Sequence, residues 1–247
     1  MSATDDLVGW FELHDPHQIR AALEAGASPT APINGKRPID LLIEMYTRSP
    51  KFADCLRVML DAGATVGDPV LEAVLLDDAS RLRTMIDADR DVVHRTYALD
   101  SAYTSLQGVS ALHVCAEYNS IDCARVLLQA GVDVNVRADV DENGFGGQTP
   151  VFHTVNSNQN HCRKAMELLV DAGADLDVRV QGLVWGGGFE WETTVFDVSP
   201  VSYAQCGLYA QFHRRERDIY SNISFLYERR HGSPPPIRNV PNRYLNH

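Results

Sequence analysis

The feature that most limits what this chain can fold into is a phrase that keeps returning. Residues 23–28 read Leu-Glu-Ala-Gly-Ala-Ser, with close copies at 60–65, 128–133 and 170–175. A degenerate copy at 86–91 has Asp89 where the others have Gly. A second phrase precedes the later copies and recurs near the end: Arg37-Pro38-Ile39-Asp40, Asp68-Pro69-Val70-Leu71, Ser110-Ala111-Leu112-His113, Thr149-Pro150-Val151-Phe152 and Ser199-Pro200-Val201-Ser202. Ser110 to Gly131 is 21 positions, as is Asp68 to Asp89, and Gly63 to Gly131 is two periods of 34. Self-similarity at such a period marks stacked units that cannot bury a core alone.

The order within each unit has a physical reading. Ser or Thr ahead of the first helix offers a hydroxyl to free backbone N–H groups, and Pro at the first helical position loses no useful donor. An apolar stripe follows on the second helix, carried by Ala124, Val126, Leu127 and Ala130 in one unit and Met166, Leu168, Leu169 and Ala172 in another. Gly then takes the left-handed conformation that stops the helix. Asp89 does so less readily, so the unit that begins near 68 is expected to end differently.

These phrases resemble the ankyrin repeat, whose signature is T-P-L-H-x-A, a helix pair and a Gly stop at a period near 33. Ser110–Ala116 carries the Leu-His of that signature, and Gly147-Gln148-Thr149-Pro150 matches its usual approach to the first helix. The resemblance implies an all-α solenoid of about six helix-pair repeats over residues 5–232, beginning near 5, 37, 68, 110, 149 and 199. A Pro-containing tail follows at 233–247. Asp5 and Asp6 are expected to precede the first helix, Trp10, Phe11 and Leu13 to seal the N-terminal end, and Ile219, Ile223 and Leu226 to anchor a polar C-terminal cap. The resemblance also places His113 in a hydrogen bond to loop backbone.

Departures from the repeat carry the functional expectation. Asp89 to Ser110 spans 21 positions, Gly131 to Thr149 18 and Gly173 to Ser199 26, whereas Gly63 to Asp68 is only 5. The stretch from Met45 to Ala53 is also lengthened within its unit. Long inserts map to loops on one face, often the binding face. In 178–198, Phe189, Trp191, Thr193 and Val195 alternate with Glu190, Glu192 and Thr194 behind Gly186-Gly187-Gly188, which predicts a β-hairpin. Trp185, Phe189 and Trp191 are candidate partner anchors, against the plainer role of packing on neighbouring loops. Glu190, Glu192 and Asp197 with Asp139, Asp141 and Glu142 form a candidate acidic rim between inserts, against the plainer role of a solvated acidic surface, and Phe145 is a further candidate partner contact.

Charge narrows the partner. The net charge is −11. From His213 onward there are seven Arg against three acids, so the rest of the chain is near −15. That balance argues against nucleic-acid binding and suits a protein partner with a basic surface. Arg214, Arg215, Arg217, Arg229 and Arg230 are expected to solvate the terminal helix. The N-terminus has no basic-then-apolar signal pattern, no apolar run approaches a membrane span, and the five cysteines form no C-x-x-C pair. These features predict a monomeric cytoplasmic protein with no membrane contact, cofactor or metal.

Chemical motifs are weak. Asp139-x-Asp141-x-Asn143-Gly144 imitates half a calcium loop, but the twelfth position is Pro150 rather than Glu. His153 and His161-Cys162 meet His113 only if adjacent repeats stack, and no spacing supplies an orienting third group for a Cys/His nucleophile. The expected function is a non-enzymatic interaction module using its concave face and inserts. The alternatives are a ligand- or metal-responsive enzyme-like protein with the 178–198 hairpin as a lid, and an acidic nucleic-acid mimic. Convergent ionisable groups in a deep pocket under the hairpin would favour the lid; a shallow continuous groove would favour the module.

Overall fold

The computed structural model describes residues 3–236. Helices follow one another in antiparallel pairs: α1 (Ala3–Leu13) with α2 (Pro16–Glu24), α3 (Pro38–Glu44) with α4 (Phe52–Asp61), α5 (Pro69–Leu75) with α6 (Ala79–Ala88), α7 (Ala111–Tyr118) with α8 (Ile121–Gln129), a 3-10 turn (Pro150–His153) with α9 (Arg163–Asp171), and α10 (Pro200–Cys206) with α11 (Glu216–His231). First members pack in one row, α5 on α7, α7 on the 150–153 turn and that turn on α10; second members form another, α6 on α8 and α8 on α9. Two antiparallel strand pairs are inserted, β1 (Thr96–Leu99) with β2 (Leu106–Ser110) and β3 (Val180–Trp185) with β4 (Thr193–Val198). Among the described residues no helix is long and apolar enough to cross a membrane. Residues 237–247 of the Pro-containing tail lie outside the described residues.

The helix ends follow the sequence chemistry. Pro38, Pro69 and Pro200 open α3, α5 and α10. The Asp68 carboxylate accepts from Val70 N and Leu71 N at 2.9 and 2.8 Å. Gly26, Gly63, Gly131 and Gly173 all stand at positive φ, from +91° to +103°. Asp89 instead takes extended backbone, with φ −149°, and leads through a 3-10 turn at Arg90–His94 into β1. The missing Gly is thus where the chain leaves the repeat to build its first insert.

Three local expectations fail. Thr149-Pro150 opens a four-residue 3-10 turn rather than an α-helix. The following residues explain it: Thr154 Oγ1 donates back to Val151 O at 2.7 Å, so a short polar side chain competes with the helical ladder, while Asn156 is tied through Nδ2 to Tyr203 O of α10 at 2.6 Å. At the N-terminal end Leu7 and Phe11 are buried, but Leu13 is 65% exposed, because α1 ends there and His14 turns at positive φ. Asp5 and Asp6 fall within α1 rather than ahead of it.

The lengthened turn 45–51 folds past α5/α6 to α7, where Tyr118 Oη donates to Ile43 O at 2.6 Å and Arg48 Nε to Glu117 Oε1 at 3.1 Å. A residue at Gly131 must hold φ +91°, so Gly131→Ala is expected to lower stability by about 1 kcal/mol. Asp89→Gly should add no stability, since its backbone is already in an unstrained region. Urea titration of both variants checks this.

Candidate functional site

The two inserts fold back over the first-row helices. Thr104, in the loop joining β1 to β2, forms an antiparallel bridge with Trp185 at the end of β3. Trp185 reaches the turn between α10 and α11, where it stacks on Phe212 with centroids 4.2 Å apart, and on Tyr103 at 4.8 Å. Its 2% exposure removes it from the surface, so it is a packing residue beneath the hairpin and offers no face to a partner. Burial of so large a ring drives this docking.

The tip is also built differently from the alternation the sequence suggests. β4 begins at Thr193, and Phe189–Trp191 belong to two consecutive turns, Phe189 N to Gly186 O and Glu192 N to Phe189 O, each 3.0 Å. The Glu192 carboxylate accepts from Gly188 N at 2.8 Å. Trp191 lies flat over Gly186, where a Cβ would come within 2.2 Å of the indole, and stacks on Phe189 at 4.8 Å. Phe189 remains 43% exposed.

The candidate residues therefore separate. Glu190, Glu192, Phe189 and Trp191 share the tip. Asp139, Asp141 and Phe145 sit in a loop at the base of the strand pair, where Gly146 N donates to Gly182 O at 2.9 Å and Phe145 meets Phe196 edge-on at 5.7 Å. No single rim joins the two acidic groups. The Asp141 carboxylate accepts from Asn143 N and Phe145 N, both at 2.9 Å, which is turn chemistry. Among the described residues no group of three or more His, Cys, Asp or Glu could hold a metal ion.

Between the tip and the 45–51 turn lies open space: two adjoining cavities of about 500 and 470 Å³ that share Tyr46, Tyr103 and Phe189. Tyr46 is 39% exposed. Together they form a continuous aromatic groove. Glu44 and Asp100 line one end, both paired with Lys36 Nζ, at 2.7 and 3.0 Å.

Beneath the groove floor, His153 meets two ionisable groups that the sequence did not single out, Arg48 and Glu117. The Glu117 carboxylate receives Arg48 Nε at 3.1 Å and His153 Nδ1 at 3.2 Å, with all three side chains buried. Burial alone would raise the Glu117 pKa, but the His153 hydrogen bond and the Arg48 charge outweigh it and hold it low. The space they enclose is about 10 Å³, too small for a substrate. His113 closes the capping box with Ser110 at 2.9 Å, sends Nε2 to Gln148 O at 3.0 Å, and meets His153 edge-on at 5.6 Å. Repeat stacking thus brings His113 and His153 together, while Cys162 Sγ donates to Glu117 O. All five cysteines are free and buried. Burial pushes the Cys55 thiol up to about 12 and that of Cys162 higher, so neither is an activated nucleophile.

The basic terminal segment also divides. Arg229 and Arg230 pair with Asp171 and Asp177 on the outside. Arg214 instead turns inward, its guanidinium carbon 4.7 Å from the Tyr103 ring centroid and 4.9 Å from Trp185. It is a groove-floor residue rather than a solvating one.

A family model for ankyrin repeats, in three copies, matches residues 71–180. Residues 71–180 carry ankyrin repeats. The crystal structure of human ASB11 ankyrin repeat domain is similar, at 19% identity, covering 94% of this chain and 84% of that one, with a TM-score of 0.40. No curated protein matches the sequence significantly. Ankyrin repeats generally mediate protein–protein interaction and are typically non-enzymatic.

Removing one partner of a buried ion pair strands the other charge, so Glu117→Gln is expected to cost about 3–5 kcal/mol in urea unfolding. Burial also holds His14 at about 4 and His113 at about 3, so both stay neutral in the fold and take up protons on unfolding. Their contribution is complete above pH 6.5 and is lost as pH falls toward 4. The urea midpoint should hold from pH 8 to 7 and drop steadily below 6.5; a midpoint unchanged at pH 5 would contradict this.

Proposed function

We propose that this chain is a non-enzymatic interaction module of about six ankyrin repeats over residues 5–232. It receives an extended segment of a partner protein in the groove between the 178–198 hairpin tip and the 45–51 turn. The observation that carries the reading is the pair of exposed rings, Phe189 and Tyr46, above a floor already packed by Trp185, Tyr103 and Phe212. Exposed aromatics on a rigid floor supply contact area at low entropy cost. Trp191 holds Phe189 in place. Glu190 and Glu192 at the tip, in a chain of net charge −11, suit a partner with a basic stretch. At the hairpin base Phe145, with the exposed Val140 and Phe196 and the carboxylates of Asp139 and Asp141, forms a second contact patch. Five buried free thiols support a reducing, cytoplasmic setting. The chamber under the hairpin admits no metabolite, so its ionisable groups do not favour a lid over a catalytic pocket.

Affinity capture followed by mass spectrometry, with Phe189→Ala as the contrast, tests the groove. The variant should lose about tenfold or more in affinity for the captured partner while its stability stays within about 0.5 kcal/mol. Equal capture by both chains would place the binding surface elsewhere.

A further inference from the structure

The groove between the hairpin tip and the 45–51 turn is polarised along its length. Its two cavities share Tyr46, Tyr103 and Phe189 and differ in the charges that line them. The cavity of about 500 Å³ carries Glu44 and Asp100 against Lys36, two carboxylates to one ammonium. The cavity of about 470 Å³ is lined by Arg214 and by no Asp or Glu. An acid-free end stands out in a chain of net charge −11.

Arg214 is fixed at that end rather than free to swing into solvent. Its Nε donates to Asn156 O and its Nη1 to Phe212 O, the latter at 2.8 Å, and Nη2 has no acceptor. The guanidinium lies on the Tyr103 and Trp185 rings, its carbon 4.7 and 4.9 Å from their centroids. These contacts hold its position and leave its charge unmatched, since no carboxylate pairs with it among the described residues. Glu117 acts on it only from beneath the floor, with Oε1 taken by Arg48 and Oε2 by His153. Burial is the largest influence on the Arg214 pKa and lowers it, so the cation is partly stripped of water. A cation that is already desolvated and held in place gains strongly from a full negative charge brought beside it. Water in the open groove supplies dipoles and no counter-charge. Aromatic walls alone would also suit an ammonium group. Here the Tyr103 and Trp185 faces already carry a guanidinium, which turns this end against a second cation.

Resting on the groove as the binding surface, we propose that its 470 Å³ end is the seat of an acidic side chain. The partner segment places an Asp or Glu over Arg214, an apolar residue at the waist between Tyr46 and Phe189, and its basic residues at the Glu44 and Asp100 end. The charges of the groove thus set which way round the segment lies.

The test uses end-blocked peptides of sequence Lys-Gly-Phe-Gly-Glu and its counterpart ending in Gln, each made in both sequence directions. They are titrated into the full chain at low salt and followed by amide NMR shifts at residues 44–46, 99–103 and 211–214. The Glu peptide should bind about tenfold more tightly than the Gln peptide in at least one direction, with the difference shrinking in high salt. Arg214→Met should bring the two peptides to equal affinity, while Phe189→Ala should weaken both. If the two bind alike and both depend on Phe189, the groove stands and the acidic seat is overturned. If neither shifts the groove residues, the groove reading falls together with the seat. Should Arg214→Met fail to fold, the Glu–Gln contrast in the unaltered chain decides alone.

Discussion

The structure turns on one buried carboxylate. Glu117 stands at the end of α7 and receives Arg48 from the α3–α4 turn and His153 from the 150–153 segment. One side chain therefore joins three helix pairs. Such a group is expensive to bury and becomes tolerable only because both oxygens are satisfied and a full positive charge lies 3.1 Å away. Well-packed apolar residues in place of the whole group would hold the stack as well. What the ion pair adds is position: it fixes where the 45–51 turn lies, and with it Tyr46, the wall of the groove.

The inserts complete that geometry. A two-stranded ribbon is marginal alone, and both ribbons here persist because they lie on other elements. The β1–β2 loop bridges to β3 through Thr104 and Trp185, and Trp185 is held between Tyr103 and Phe212. The hairpin is thus a wall of the groove fixed at its far end, with only the turn residues 187–192 projecting. A preformed surface loses less entropy on binding, which is the physical advantage of building a recognition face this way.

Much of the fold was legible in the sequence because it rests on local rules. The Gly stops, the Pro starts, the Ser110–His113 cap and the irregular exit at Asp89 each follow from backbone conformation or a missing donor. The site was less legible because it depends on contacts distant in sequence. Arg48 and Glu117 are 69 positions apart. The lengthened stretch after Met45 signalled an irregularity there, though not its partner. Arg214 lies in a run of arginines that composition alone assigns to solvent, and only the stacked rings of Tyr103 and Trp185 turn it inward. Trp185 and Trp191 look equivalent by spacing, yet three consecutive glycines separate a ring facing the core from rings at the tip. The Thr149 segment matched the repeat phrase and still failed to form an α-helix, because Thr154 takes a local backbone acceptor and Asn156 is held by α10.

Fixed to the helix stack, the inserts preform the groove. Amide hydrogen exchange of the free protein measures this directly. The hydrogen-bonded amides of 182–185 and 193–196 should exchange as slowly as those of α7, because the ribbon opens only when the stack does. Exchange of the hairpin amides orders of magnitude faster than α7, as for a free arm, would contradict it.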